Sequence, residues 1–214
     1  MIDKEYLIFD MDGTVLDTML YWRDLAREYF ELEHNVKMSE EMSMAILSKT
    51  TAEFVDIIKQ TYSIDCDFEL ARVKMMELLK THYMNDCPHK PGVEAFLKKA
   101  KQTGKKTAIA SASPSDIVHI ALKKSGLYEY FDYIVTVGDI GKSKRHPDIY
   151  LNAMETLGGN MQSTAVFEDA AYAAQTVKQA GFFLVGVEDK YAHEQKDTIM
   201  ALSDIYIDDY AVLL

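Results

Sequence analysis

The sequence predicts an α/β protein: a doubly wound, mostly parallel sheet interrupted by an inserted, all-helical block. Three observations predict it. Apolar runs of about four to five residues alternate with helical stretches from Val93 onward, the pattern of repeated βα units. Several of those helical stretches stop at a glycine, namely Gly104, Gly126 and Gly181. Between Thr18 and Cys87, by contrast, no convincing strand appears and apolar residues recur at helical spacing. The predicted boundaries are therefore 1–17 with 88–214 for the sheet-bearing part and 18–87 for the helical insertion.

The first strand is Tyr6-Leu7-Ile8-Phe9, which opens into Asp10-Met11-Asp12-Gly13-Thr14. The insertion follows, with three predicted apolar faces. The first is Trp22, Leu25, Ala26, Tyr29 and Phe30, and the second is Phe54, Ile57, Ile58 and Tyr62. The third is Leu70, Val73, Met76, Leu79 and Tyr83, with Lys74, Glu77 and Lys80 between its members. The breaker cluster Pro88-His89-Lys90-Pro91-Gly92 ends the block. A helix over Val93–Gln102, a strand over 107–110 and a loop Ser111-Ala112-Ser113-Pro114 opening a helix come next. The pattern then predicts a strand over 133–137, a loop from Gly138 to His146 and a helix from about Pro147. A strand over 164–167 runs into Glu168-Asp169, an alanine-rich helix reaches Gly181, and strands at 183–187 and 205–207 complete the set. The first strand belongs with these later units, so the helical block interrupts one domain.

Hydrophobic residues make up 48% of the 214 positions and charged residues 27%, ordinary for a globular protein. The net charge of −11 argues against nucleic-acid or anionic-membrane partners. No apolar stretch approaches the roughly 20 residues of a membrane helix. The opening Met-Ile-Asp-Lys-Glu-Tyr is too charged for a signal peptide. Cys66 and Cys87 have neither metal-site spacing nor a disulfide framework and read most simply as reduced thiols. A cytoplasmic protein, monomeric or weakly self-associating, is expected.

In open α/β sheets ligands bind at the carboxyl ends of the strands. The residues at those ends are Asp10 and Asp12, Ser111, the Gly141–Lys144 loop, and Glu168-Asp169. Asp10 and Asp12, two apart, point the same way, and Gly13 lets the chain approach a ligand closely. Clustered carboxylates repel one another, so a positive group must sit among them. Oxygen ligands without histidine or cysteine fit Mg²⁺. Lys144 as a cation and Ser111 as a hydroxyl donor suit phosphate oxygens. An ionised aspartate there can attack phosphorus, and a second can protonate the leaving oxygen.

Four segments resemble the motifs of the haloacid dehalogenase superfamily, in order along nearly the whole chain. They are Asp10-Met11-Asp12-Gly13-Thr14, Ala110-Ser111-Ala112-Ser113, Ser143-Lys144-Arg145-His146-Pro147-Asp148-Ile149-Tyr150, and Phe167-Glu168-Asp169. The resemblance implies a Rossmann-like core with the helical insertion as a mobile cap. It implies Asp10 as nucleophile and Asp12 as acid/base. Asp10, the backbone carbonyl of Asp12, Asp169 and Glu168 would hold Mg²⁺, while Ser111, Ala112 and Lys144 would hold the phosphoryl group with Thr14 nearby.

Family members that dehalogenate lack an acid at the position of Asp12, so the resemblance favours phosphate esters. The subgroup resembled is that of β-phosphoglucomutase and small sugar-phosphate phosphatases. Its mutases carry a D-T-x-x-x-H pattern, and here Asp17-Thr18-Met19-Leu20-Tyr21 is followed by Trp22. This favours a phosphatase acting on a small phosphorylated metabolite over a mutase. Lys49 falls where the mutase cap grips a distal phosphate, and Trp22, near the hinge, offers a substrate-facing ring. A non-catalytic descendant of the fold would have lost Asp10 or Lys144; both are present. Competing structural readings are plain: Ser111 and Glu168-Asp169 as helix caps, Lys49 as a solvated cation, and Lys142 in place of Lys144.

Overall fold

A computed structural model of the protein describes residues 2–47 and 51–214. The chain forms two compact units, one of Met1–Thr18 with Asp86–Leu214 and one of Met19–Asn85.

The first unit is built on six strands. In chain order the strands and helices of both units are β1 (Tyr6–Phe9), α1 (Met19–His34), α2 (Glu40–Leu47), α3 (Thr51–Tyr62), α4 (Phe68–Asn85), α5 (Val93–Gln102), β2 (Lys106–Ser111), α6 (Ser115–Lys124), β3 (Tyr133–Thr136), α7 (Val137–Ile140), α8 (Asp148–Leu157), β4 (Thr164–Glu168), α9 (Ala171–Ala180), β5 (Phe183–Val187), α10 (Lys196–Leu202) and β6 (Ile205–Ile207). The sheet order is β3-β2-β1-β4-β5-β6, and its pairings are parallel. The chain winds outward from β1 through β2 and β3, then crosses back to β4 on the other side. This reversal beside β1 is where such sheets open a ligand crevice.

Strand residues alternate between the two faces. Ile8, Ala108, Ala110, Val135 and Val166 pack with Ile149, Tyr150, Ala153 and Met154 of α8 and with Ala174 and Val177 of α9. Phe9 and Phe167 form an aromatic cluster with Phe96 and Tyr210; the Phe9 and Phe167 rings stack at 4.3 Å, and Tyr210 lies 5.8 Å from Phe167. Burying such rings is worth a few kcal/mol each, enough to fix β1 against β4.

Predicted boundaries shift around β2 and β3. The strand predicted over 133–137 ends at Thr136, which caps a single helical turn rather than opening a loop. The Asp139 carboxylate accepts from the Thr136 backbone N–H at 2.8 Å, closing a capping box. Ser111 is the last residue of β2 and caps nothing, because α6 begins at Ser115 after Pro114.

The second unit is a helical bundle. Leu25, Ala26, Tyr29 and Phe30 of α1 are buried, as are Phe54 and Ile58 of α3, and Phe30 meets Phe54 at 5.8 Å. The face predicted for α4 is corrected. Leu70 and Val73 are exposed, and the buried stripe is Ala71, Met75, Leu79 and Tyr83, spaced four apart. Apolar residues cover so much of this helix that periodicity alone did not set the phase. No helix among the described residues is long and apolar enough to cross a membrane.

Candidate active site

The backbone after β1 turns at once. Asp10 N–H still donates to Phe167 O at 3.0 Å, extending the β1–β4 ladder by one rung. Gly13 then adopts φ 81°, a left-handed conformation that side chains disfavour, and its N–H donates to Leu16 O at 2.8 Å. Met11 and Val15 are buried, so the loop packs down and directs polar side chains into the crevice.

Strand alternation decides which carboxylate meets which partner. Glu168 lies two beyond Val166 and therefore faces the α8 layer, where Lys144 and Tyr150 wait. Lys144 Nζ donates to Asp10 Oδ1 at 2.5 Å and to Glu168 Oε1 at 2.6 Å. Tyr150 OH donates to the same Glu168 Oε1 at 2.6 Å, while the buried Glu168 Oε2 has no hydrogen-bond partner among the described residues. Asp169 belongs to the opposite face, accepting from Thr14 Oγ1 at 2.8 Å, and Tyr210 OH donates to Thr14 O at 3.0 Å. Lys142, the competitor to Lys144, pairs instead with Asp148 on the surface.

Asp12 is held differently. Its Oδ1 accepts from Thr18 Oγ1 and its Oδ2 from Ser113 Oγ, each at 2.6 Å. Ser111 Oγ accepts from Ser113 N–H at 3.0 Å, which ties the end of β2 into the same assembly. Ala112 between them is exposed.

Asp10, Glu168 and Asp169 each offer a carboxylate oxygen, all within 4.8 Å of one another, and all three residues are buried. The Asp12 side chain is not in this group. Burial alone would lower the Lys144 ammonium, but the Asp10 and Glu168 charges outweigh it and hold its pKa above the ordinary lysine value. Burial, reinforced by Asp10 and opposed by Lys144, pushes Glu168 up to about 7. Asp169 is pushed well above the usual carboxylate range by burial and then by Asp10 and Glu168. Burial, then the Glu168 charge, keeps the Tyr150 phenol a donor. One lysine thus faces three crowded carboxylates, and the leftover negative charge suits a hard divalent cation. The orphaned Glu168 Oε2 is an oxygen such an ion would satisfy.

Of the residues singled out in the sequence, Asp10, Asp12, Thr14, Ser111, Lys144, Glu168 and Asp169 come together at the carboxyl edge of the sheet. Trp22 lies in α1 of the second unit, where its Nε1–H donates to Tyr83 OH at 3.1 Å. Lys49 lies outside the described residues. The sequence reading gave no site role to Ser113, Thr18 or Tyr150. The available signals were modest: a second serine two past Ser111, and a hydroxyl-bearing ring in the otherwise apolar face of α8.

Residues 7–187 match the family model of haloacid dehalogenase-like hydrolases. YhcW of Bacillus subtilis (strain 168) is 32% identical over 187 residues, covering 86% of this chain and 83% of that protein. The fructose-1-phosphate phosphatase YqaB of Escherichia coli (strain K12) is 29% identical over 185 residues, covering 85% and 95%. Among solved structures, CbbY from Rhodobacter sphaeroides in complex with phosphate superposes with a TM-score of 0.81 at 21% identity, covering 98% and 96%. The match spans the first strand through the fifth and takes in every clustered acid and the lysine: the chain belongs to the haloacid dehalogenase-like hydrolases.

Proposed function

We propose that the protein is a Mg²⁺-dependent phosphatase of small, sugar-phosphate-like monoesters, working through an aspartyl-phosphate on Asp10. The observation that carries this reading is the division of labour between the two aspartates. Asp10 shares the buried cluster with Lys144, Glu168 and Asp169, whereas Asp12 is steadied by two hydroxyls. A nucleophile and an acid/base need such different settings.

In this reading Asp10 Oδ1 is engaged by Lys144, and the carboxylate attacks phosphorus. Asp12 protonates the departing alcohol oxygen, then takes a proton from the water that hydrolyses the phosphoenzyme. Lys144 has three N–H donors; two serve Asp10 and Glu168, which leaves one for a phosphoryl oxygen. Ser111, Thr14 and the backbone at Ala112 complete the phosphoryl pocket. Asp10, Glu168 and Asp169, with the Asp12 carbonyl, would hold Mg²⁺, which when bound neutralises charge on the phosphoryl oxygens. Trp22 and Lys49 are proposed to contact the organic part of the substrate. The phosphatase name of the Escherichia coli relative supports a sugar-phosphate-like ester.

The test is Asp10→Asn. Turnover of an aryl phosphate should fall by about 10³-fold or more with an unchanged circular dichroism spectrum, since an amide cannot attack phosphorus. Wild-type activity in that variant refutes the nucleophile assignment. With a sugar phosphate, release of inorganic phosphate in step with substrate loss supports a phosphatase; isomerised sugar phosphate without free phosphate points to a mutase.

A further inference from the structure

We infer that Tyr150 is a positioning residue for the cation site: its hydroxyl joins Lys144 in holding Glu168 by Oε1, which reserves Oε2 for the metal. The inference rests on the proposed reading of Asp10, Glu168 and Asp169 as a cation site and adds the device that orients one of its ligands.

Tyr150 is fully buried in α8, its ring edge-on to Phe182 at 6.4 Å and packed among Ile149, Ala153 and the β-sheet. A phenylalanine would fill that space equally well, so the hydroxyl is the part left to explain. It donates to Glu168 Oε1 at 2.6 Å, the same oxygen that takes Lys144 Nζ at 2.6 Å. Two donors therefore crowd one oxygen of a fully buried carboxylate while the other, Oε2, has none among the described residues.

A carboxylate serving only packing or charge balance would share its donors between both oxygens, because an unpaired buried acceptor is costly. The asymmetry fits a carboxylate held from behind so that its free oxygen meets a ligand in front. Lys144 alone is a poor clamp, since the same ammonium also holds Asp10 at 2.5 Å. The phenol sits in the buried face of α8 and has no other acceptor among the described residues, so it sets the carboxylate plane. Outer partners of this kind commonly change metal affinity by about 10–100-fold.

The test uses Mn²⁺ as probe on the full chain, its binding followed by electron paramagnetic resonance. Tyr150→Phe should weaken Mn²⁺ about tenfold, and in a Glu168→Gln background it should have no further effect, because the hydroxyl acts through Glu168. Unchanged affinity in Tyr150→Phe, or an equal loss in both backgrounds, overturns the inference. A crystal structure of the Mn²⁺-loaded wild-type chain decides the same point should the variant fail to fold. Oε2 on the metal with Oε1 still bonded to Tyr150 supports it; Oε1 on the metal overturns it. If the wild-type chain binds no Mn²⁺, the cation reading itself falls and takes this inference with it. Binding without Tyr150 dependence removes the inference alone.

Discussion

The two ends of the sheet use the same side chains to opposite effect. At the amino end, Asp132 precedes β3 and accepts from Lys101 Nζ at 2.6 Å and from Thr107 N–H, the start of β2, at 2.9 Å. Asp204 precedes β6 and does the same with Lys178 Nζ and Leu184 N–H of β5, both at 2.7 Å. Partial burial alone would raise these carboxyls, but the lysine and backbone donors outweigh it and hold both below the usual value. Each pair is complete, partly exposed, and pins an edge strand to its neighbour. At the carboxyl end Lys144 meets Asp10 and Glu168 out of water, the acids outnumber the cation, and one oxygen is left unpaired. Aspartate and lysine stabilise when the donors suffice and water is near. Buried and undersupplied, they make a centre that waits for a ligand.

That contrast predicts unequal responses to mutation. The largest belongs to Lys144→Met, which strips the lysine paired with two of the three buried carboxylates. In chelator at pH 8, urea unfolding should show a loss of about 3–5 kcal/mol, the range for breaking a buried pair. Turnover of the aryl phosphate should fall at least about 10²-fold. A loss no larger than that of an amino-end lysine would erase the distinction.

The next effect is read from pH. Glu168 is raised from 4.5 to about 7 in the folded chain, so its contribution to stability is fully present below 4.5 and is lost as pH rises through 7. The metal-free protein should therefore melt at a lower temperature at pH 8 than at pH 5.5. Added Mg²⁺ should restore more of the melting temperature at the higher pH, because it binds the ionised form. Equal Mg²⁺ stabilisation at both pH values would count against the crowded-carboxylate account.

The smallest change is expected from Asp204→Asn. The folded-state pKa of Asp204 is lowered, so its contribution exists above 3.8 and disappears as pH falls through the lower folded value. The substitution should cost about 0.5–1 kcal/mol at pH 7, progressively less as pH falls below 3.8, and leave turnover unchanged. A kinetic defect in this variant would show that the amino end is coupled to the candidate site.

Much of this is legible in the amino-acid sequence. The runs Tyr6–Phe9 and, within β4, Ala165-Val166-Phe167 are continuous apolar segments because strands buried on both faces require it. Gly104, Gly126 and Gly181 marked helix ends because a left-handed residue can stop a helix there. Acids next to such strand ends stood out, since a carboxylate is costly there without a partner. Less legible was α4, where apolar residues on several sides concealed the buried stripe at Ala71, Met75, Leu79 and Tyr83. The short turn after β3 was also missed, for it depends on a reciprocal cap between Thr136 and Asp139 rather than on periodicity.

The amino-acid order alone determined the strands, their glycine punctuation and the acids beside them. Those follow from local rules of burial and backbone freedom, which operate over a few residues. Only the tertiary structure decided that Lys144 and not Lys142 reaches Asp10 across 134 positions, that Ser113 and Thr18 share Asp12, and that Tyr150 fixes Glu168. Hydrogen bonds of 2.5–2.6 Å depend on how α8, the β2 edge and the β1 loop dock on the sheet. No repeating pattern in a sequence encodes that placement, because it is set by the packing of side chains far apart along the chain.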